Sequence, residues 1–176
     1  MRWVCHTALV LVLLAPSLAA AVPAGSPESI AALELCDAVD EMAESQRDAA
    51  LERGLAMAEH AVEADGRDAR GHFALVCHLG KRMARAGIGF RQISDLRRLR
   101  RELDVTLALA PGDADALLAK GALLLKLPRL LGGDSDEAEA LLRQALVAEP
   151  DNTAARCYLA EAQRTRGASI ESPPGC

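Results

Sequence analysis

Aromatic residues are scarce in this chain of 176 residues, which contains one Trp, one Tyr and two Phe. β-Branched residues never alternate with polar ones, so the usual signal of a half-buried strand is missing. Hydrophobic residues still make up 51% of the chain, and most of them are Ala and Leu, which favour helices. The sequence therefore predicts an all-α fold in which small side chains let helices approach closely.

Basic residues are also in the minority, with 20 Lys and Arg against 25 Asp and Glu, and the formal net charge is −5. This acidic balance disfavours nucleic acid as a general partner. The sequence also lacks a glycine-rich phosphate loop, a nucleophile elbow and an HExxH motif. No recognisable nucleophile accompanies His60, His72 or His78. We therefore expect a protein that is not an enzyme and that uses no cofactor or metal.

The first 21 residues have the composition of a signal peptide. Arg2 gives a short positive start, residues 8–14 form an apolar core, and small residues precede Ala21. We expect cleavage after Ala21, or alternatively after Ala24, and a periplasmic or secreted location. An uncleaved N-terminal anchor is the competing interpretation, but the apolar run is short for a membrane span. No other segment is predicted to cross a membrane.

Helix start and stop signals divide the rest of the chain. Ser26 and Pro27 form a helix start, Pro111 and Pro128 are stops, and Gly167 suits the position after a helix end. These signals, with the spacing of Ala and Leu, predict seven helices, over residues 26–45, 48–64, 68–86, 91–110, 113–126, 134–150 and 152–166. Residues 168–176 are predicted to form an irregular tail.

Residues 111–150 form a helix–loop–helix unit with small residues where two helices must touch. Gly121 lies on the first helix, Ala138 and Ala145 lie on the second, and Leu142 fills the space between them. Such a unit cannot bury its apolar face alone and requires stacked neighbours. It resembles the tetratricopeptide repeat, which implies a helical-repeat solenoid over residues 26–167, with about three helix pairs and a C-terminal capping helix. An irregular helical bundle would give the same periodicity and is the alternative.

The loop over residues 127–134 reads Leu-Pro-Arg-Leu-Leu-Gly-Gly-Asp and is longer than an ordinary inter-helix turn. It resembles the loop of the T-component of TRAP-type transporters, helical-repeat proteins of the bacterial periplasm. The resemblance implies a role in organic-anion uptake, with Arg129 and Lys120 as contacts for an anion or carboxylate at the rim of a groove. A turn that only changes the direction of the chain is the simpler interpretation.

A basic cluster stands out in this acidic protein. Leu96, Leu99 and Leu103 give its helix an apolar side, so the arginines around them are predicted to form the solvated side. A docking strip for an acidic partner or anionic lipid headgroups, using Arg97 and Arg101, is the sharper hypothesis. The cluster comprises Lys81, Arg82, Arg85, Arg91, Arg97, Arg98, Arg100 and Arg101.

Four cysteines follow the signal segment: Cys36, Cys77, Cys157 and Cys176. An even number in an exported chain predicts disulfides, and four cysteines allow three pairings. We favour Cys36–Cys77, between the first helices of neighbouring units, and Cys157–Cys176, between the tail and the last helix. Metal or haem binding is the competitor, but no Cys or His spacing typical of a zinc site is present.

Two functional hypotheses follow. The first is an exported scaffold that binds a protein partner on the concave face of the repeat, as the tetratricopeptide resemblance implies. The alternative is a periplasmic accessory subunit of a TRAP-type transporter, which would contact a small anionic ligand.

Overall fold

The computed structural model describes residues 24–86, 90–165, 167 and 173–176. These residues form seven α-helices and no strand, so the predicted all-α class is confirmed. The predicted signal peptide, residues 1–21, lies outside the described residues, as do positions 168–172 of the predicted tail. The helices are α1 (Pro27–Ala38), α2 (Glu44–Ala64), α3 (Ala69–Ala86), α4 (Phe90–Leu109), α5 (Ala114–Lys126), α6 (Ser135–Ala148) and α7 (Thr153–Thr165).

Side-chain caps begin three of these helices where the sequence predicts. Ser26, Asp113 and Asp134 each accept hydrogen bonds from backbone N–H groups two or three residues further on, at 2.9–3.1 Å. Each bond satisfies a donor that the first helical turn leaves without a partner, and such caps contribute about 1 kcal/mol. At the other end of the chain, Gly167 adopts a φ of 88° after α7, as a helix-terminating glycine does.

The first helix is shorter than predicted. A 3₁₀ turn over Val39–Glu41 interrupts it, and α2 begins at Glu44 instead of residue 48. Arg47 closes the turn by donating to the backbone carbonyls of residues 40 and 42, at 2.8 and 3.0 Å. The turn also buries Val39 in a small cluster with Ala50 and Leu51. This early end follows from packing onto α2, because no Gly or Pro marks it in the sequence.

Consecutive helices pack on each other within each half, α1 with α2, α2 with α3, α3 with α4, and α5 with α6. α1 also packs against α3, and α7 packs against α6 and more lightly against α5. Among consecutive helices, the contact between α4 and α5 is the thinnest. We call this contact the α4–α5 seam. It divides the first four helices from the last three, and one apolar cluster that includes Ala116 of α5 crosses it.

Gly121 lets α5 and α6 approach closely, as the sequence predicts. A Cβ atom placed on Gly121 would lie 2.8 Å from Leu142 Cγ and 3.2 Å from the carbonyl oxygen of Ala138. Ala138, Leu142 and Ala145 are fully buried on α6. A larger side chain at Gly121 would therefore separate the two helices.

His78 joins α1, α2 and α3 in the core of the first half. It is 1% exposed, and its Nε2–H donates to the carbonyl oxygen of Ala32 at 2.9 Å. Its ring lies over Gly54 of α2, where any Cβ atom would overlap it. Burial lowers the pKa of His78, so the imidazole is neutral, and its Nδ1 makes no hydrogen bond to the described residues. The ring thus acts as a hydrogen-bonded spacer among three helices.

Two disulfides connect the cysteines in the favoured pairs. Cys36 of α1 and Cys77 of α3 have their Cα atoms 6.3 Å apart, and those of Cys157 in α7 and Cys176 are 5.5 Å apart. Both separations lie within the range that a disulfide requires. Disulfides of this kind are consistent with an oxidising, non-cytoplasmic compartment.

A hydrogen bond between His72 and Glu102 joins α3 to α4. Its Nδ1 lies 2.7 Å from a carboxylate oxygen of Glu102, and its Nε2 lies 3.1 Å from the carbonyl oxygen of Gly66. Both neighbours are acceptors, so both ring nitrogens donate when His72 is protonated. The hydrogen bond to Glu102 therefore raises the pKa of His72 above its ordinary value, although burial opposes the change.

The His72 contact predicts a dependence of stability on pH. A raised pKa in the folded state contributes stability below the unfolded pKa, near pH 6.5, and this contribution is lost as pH rises through the folded value. The free energy of unfolding lost in this way is about 1.4 kcal/mol for each unit by which the pKa in the folded state exceeds the pKa in the unfolded state. His72→Gln should remove this contribution, so we expect the urea midpoint of the wild type to fall relative to that of H72Q between roughly pH 6 and pH 8. His60→Gln, at the exposed Glu28 pair, should leave most of this relative fall in place. Parallel slopes for the wild type and H72Q would contradict the assignment.

Candidate binding groove

An open groove of about 700 Å³ runs between α3 and α5 and is closed at its sides by α1 and α7. It exists because the two central helices do not pack closely, in contrast to α1 and α3. Its volume falls within the range of ligand-binding clefts in proteins.

The walls of the groove are mainly apolar. Phe73 and Val76 project from α3, Leu118 and Leu123 from α5, and Leu33 from α1. Phe73 and the two leucines of α5 are half-buried, because each packs partly on the core and partly on the open groove. These side chains recur at helical spacing on α3 and α5. Each helix has one apolar stripe that faces the core and a second, adjacent stripe that faces the groove. The groove thus offers apolar surface that a partner could cover.

Two carboxylates and one guanidinium lie among these apolar side chains: Asp37, Asp115 and Arg70. Partial burial raises the pKa of Asp115, and the charges of Asp113 and Glu149 raise it further, whereas Arg70 opposes them. Within the described residues neither Asp37 nor Asp115 forms a salt bridge. The carboxylate of Asp115 therefore lies where a further cation would stabilise its charged form.

Two lysines at the rim of the groove already interact with other side chains. Lys81 Nζ lies 2.6 Å from a carboxylate oxygen of Asp40. Lys126 Nζ lies 5.2 Å from the centre of the Tyr158 ring, a cation–π distance. An apolar centre with a charged and polar rim is typical of a protein-binding surface.

Lys120, one of the predicted anion contacts, lies outside this groove. Its Nζ lies 2.8 Å from Asp104 and 3.8 Å from Glu137, in a smaller pocket of about 370 Å³ between α4, α5 and the loop before α6. Two carboxylates therefore neutralise its charge, and an incoming anion would have to compete with them. The structure does not bring Lys120 and Arg129 into one described contact.

Arg129 begins the 3₁₀ turn Arg129–Leu131 and is exposed. The same loop is bound to the basic helix, because Arg100 donates to the carbonyl oxygen of Gly132 at 2.8 Å. The long loop predicted at this point is therefore held against α4.

Four of the eight side chains of the basic cluster form ion pairs within the described residues: Lys81, Arg82, Arg85 and Arg98. Arg82 pairs with Asp95 of α4 and Glu52 of α2, and Arg85 pairs with two carboxylates of α2. Arg98 pairs with Glu59 of α2. Arg97 and Arg101 are exposed on α4, in agreement with the predicted solvated side. The side chain of residue 91 lies outside the described part of the structure.

The groove residues Arg70, Phe73, Asp115 and Tyr158 were not singled out by the sequence. One signal was present: two of the three aromatic residues after the signal segment, Phe73 and Tyr158, line the groove. Aromatic side chains are rare in this chain, whose core consists mainly of Ala and Leu, so these two residues were the signal for the groove in the sequence.

No protein-family model matches the chain, and no curated protein matches it. Among the described helices none is long and apolar enough to span a membrane. In the same part of the chain, no group of three or more His, Cys, Asp and Glu side chains is arranged to hold a metal ion.

Proposed function

We propose that the chain is an exported protein-interaction scaffold that binds a protein partner in the groove between α3 and α5. The observation that carries this proposal is the groove itself, with apolar walls, two carboxylates that form no salt bridge within the described residues, and a rim of charged side chains. A helix or extended segment with apolar anchors would cover these walls.

Contacts between alternate helices support a repeat-like arrangement of helix pairs. Alternate helices pack on each other at both ends of the chain, α1 on α3 and α5 on α7. The close contact of Gly121 with Leu142 supports the resemblance of the third pair to a tetratricopeptide repeat. In this arrangement α1, α3, α5 and α7 would line the concave face, and all four contribute to the groove.

Export is part of the proposal. The predicted signal segment and the two disulfides both favour a periplasmic or secreted location. The alternative role as a TRAP-type accessory subunit receives no specific support, because carboxylates neutralise Lys120.

Site-specific photo-cross-linking would test the groove. A photoreactive amino acid is placed at Ala122, which lines the groove and is half-buried. The labelled protein is irradiated in the exported fraction of its source. We expect discrete adducts with a protein of defined mass, because a bound partner would lie against this wall.

Val147 provides the matched control, since it is 84% exposed on α6 and does not line the groove. The same photoreactive residue at Val147 should give no discrete adduct. Equal adduct patterns at both positions, or none at Ala122, would reject the groove as the binding surface.

A further inference from the structure

The turn Arg129–Leu131 presents two leucines to solvent. Leu130 is 99% exposed and Leu131 is 54% exposed, on a chain whose other leucines mostly lie in the core or in the groove. We call Arg129, Leu130 and Leu131 the Leu130 tip. Exposed leucines side by side at the end of a loop are an interaction surface that the fold itself does not use.

The Leu130 tip is held in one shape by its backbone. Gly133 N–H donates to the carbonyl oxygen of Pro128 at 3.0 Å, and Asp134 N–H donates to that of Leu124 at 3.1 Å. Arg100 fixes Gly132, which has a φ of 81°. At Gly133 a Cβ atom would overlap the backbone of residue 127. A tip ordered in this way loses little conformational entropy when it binds, which suits a shaped pocket.

A protein pocket fits the Leu130 tip better than a lipid surface does. Asp134 and Asp136 follow the tip directly, and anionic headgroups would repel them. A pocket that receives the tip needs apolar walls for two leucines and a carboxylate for Arg129. The groove between α3 and α5 has both, with Phe73 on the α3 wall and Asp115 on the α5 wall.

We propose that the Leu130 tip of one molecule docks in the groove of a second copy of this chain, where Leu130 and Leu131 cover the apolar walls and Arg129 pairs with Asp115. This inference rests on the proposed function, since it assigns an occupant to the same groove. The raised pKa of Asp115 is consistent with it, because a guanidinium from a second molecule would add to the charge of Arg70 in opposing the carboxylates of Asp113 and Glu149.

The two surfaces are different parts of the chain, so the association is head-to-tail. Each molecule would offer one tip and one groove, and the assembly would grow into a ring or an open chain. Sedimentation equilibrium of the full mature chain should therefore show an average mass that increases with concentration.

Complementary variants give a sharp test. Leu130→Asp removes the tip and keeps the groove, whereas Ala122→Arg fills the groove and keeps the tip. Each variant alone should associate at least about tenfold more weakly than the wild type, because buried leucine surface is lost or blocked. Mixed together, L130D and A122R should form a one-to-one complex and stop there, since only one intact tip and one intact groove can meet.

Val147→Asp is the control for L130D, because it places the same charge at another exposed aliphatic position; it should associate like the wild type. If A122R does not fold, a charge-reversal pair replaces this test. Arg129→Glu alone should weaken association. Mixing the R129E variant with the Asp115→Arg variant should restore association, because opposite charges again face each other. A wild type that remains monomeric at every concentration overturns the inference, as does a mixture that gives no heterodimer. Vesicle binding lost only in L130D, with a monomeric wild type, overturns it in favour of a membrane.

The photo-cross-linking experiment separates this inference from the proposed function. An adduct at Ala122 with the mass of two chains supports both. An adduct with another protein, from a chain that remains monomeric, upholds the proposed function and rejects the second copy as the occupant.

Discussion

Replacing Gly54 with alanine is expected to lower the free energy of unfolding by about 2–4 kcal/mol, through overpacking and a broken buried hydrogen bond. The new methyl group would overlap the ring of His78, which is buried on every side and bound to Ala32. The ring can move only by giving up that bond, which leaves the Nε2–H of the buried imidazole without an acceptor. Urea denaturation followed by circular dichroism at one pH would measure the loss.

Gly80 offers a matched control in the middle of α3. A Cβ atom there would meet only Leu99 Cδ1, at 3.7 Å, which is an ordinary contact. Gly80→Ala should therefore stabilise the protein by about 0.5–1 kcal/mol, the usual gain from replacing a helical glycine. If G54A behaved like G80A, the tight contact with His78 would be wrong. A double variant, Gly54→Ala with His78→Ala, should recover part of the loss because the overlap is gone.

Removing the Cys36–Cys77 bridge is expected to cost about 4 kcal/mol in the loop-entropy model, since it closes a loop with a sequence separation of 41. The paired variant Cys36→Ala with Cys77→Ala leaves no unpaired thiol to exchange. Both side chains join α1 to α3 beside the groove, so we also expect partner binding to weaken. Urea midpoints of the oxidised wild type and the double variant would measure the effect.

The second bridge is the internal comparison. Cys157–Cys176 has a separation of 19, and its removal should cost about 3 kcal/mol on the same model. Thiol titration of the unfolded, unreduced mature chain should find no free thiol. Four free thiols would reject both bridges, and a variant without Cys36 and Cys77 that was as stable as the wild type would reject the first.

Local chemistry allowed the sequence to predict most helix boundaries. Asp113 and Asp134 cap their helices because a carboxylate satisfies nearby backbone donors, a property that needs no distant partner. Gly121 was also predictable as a point of close contact, because it has no side chain and a second helix was expected to pack beside it. The cysteine pairing followed from placing each pair on neighbouring elements.

Features that depend on distant packing were not predictable in this way. The end of α1 at residue 38 depends on Arg47 and on Val39 meeting α2, and neither leaves a local mark. The groove exists because α3 and α5 do not pack closely, and the spacing of residues within either helix does not indicate this separation. Lys120 looked like a free cation in the sequence because Asp104 and Glu137, its partners, are 16 and 17 positions away.

The α4–α5 seam has a consequence for how the molecule deforms. Cys36–Cys77 crosslinks α1 to α3, and Cys157–Cys176 crosslinks α7 to residue 176, so neither bridge spans the seam. The relative orientation of the two halves therefore depends on the turn over residues 110–113 and on noncovalent contacts, which include the hydrogen bond from Arg100 to Gly132 and the ion pair of Lys120 with Asp104. A change in the angle between the two halves would alter the width of the groove, because α3 and α5 lie on opposite sides of the seam. The covalent constraints thus act within each half, and the opening between the halves depends on weaker, noncovalent contacts.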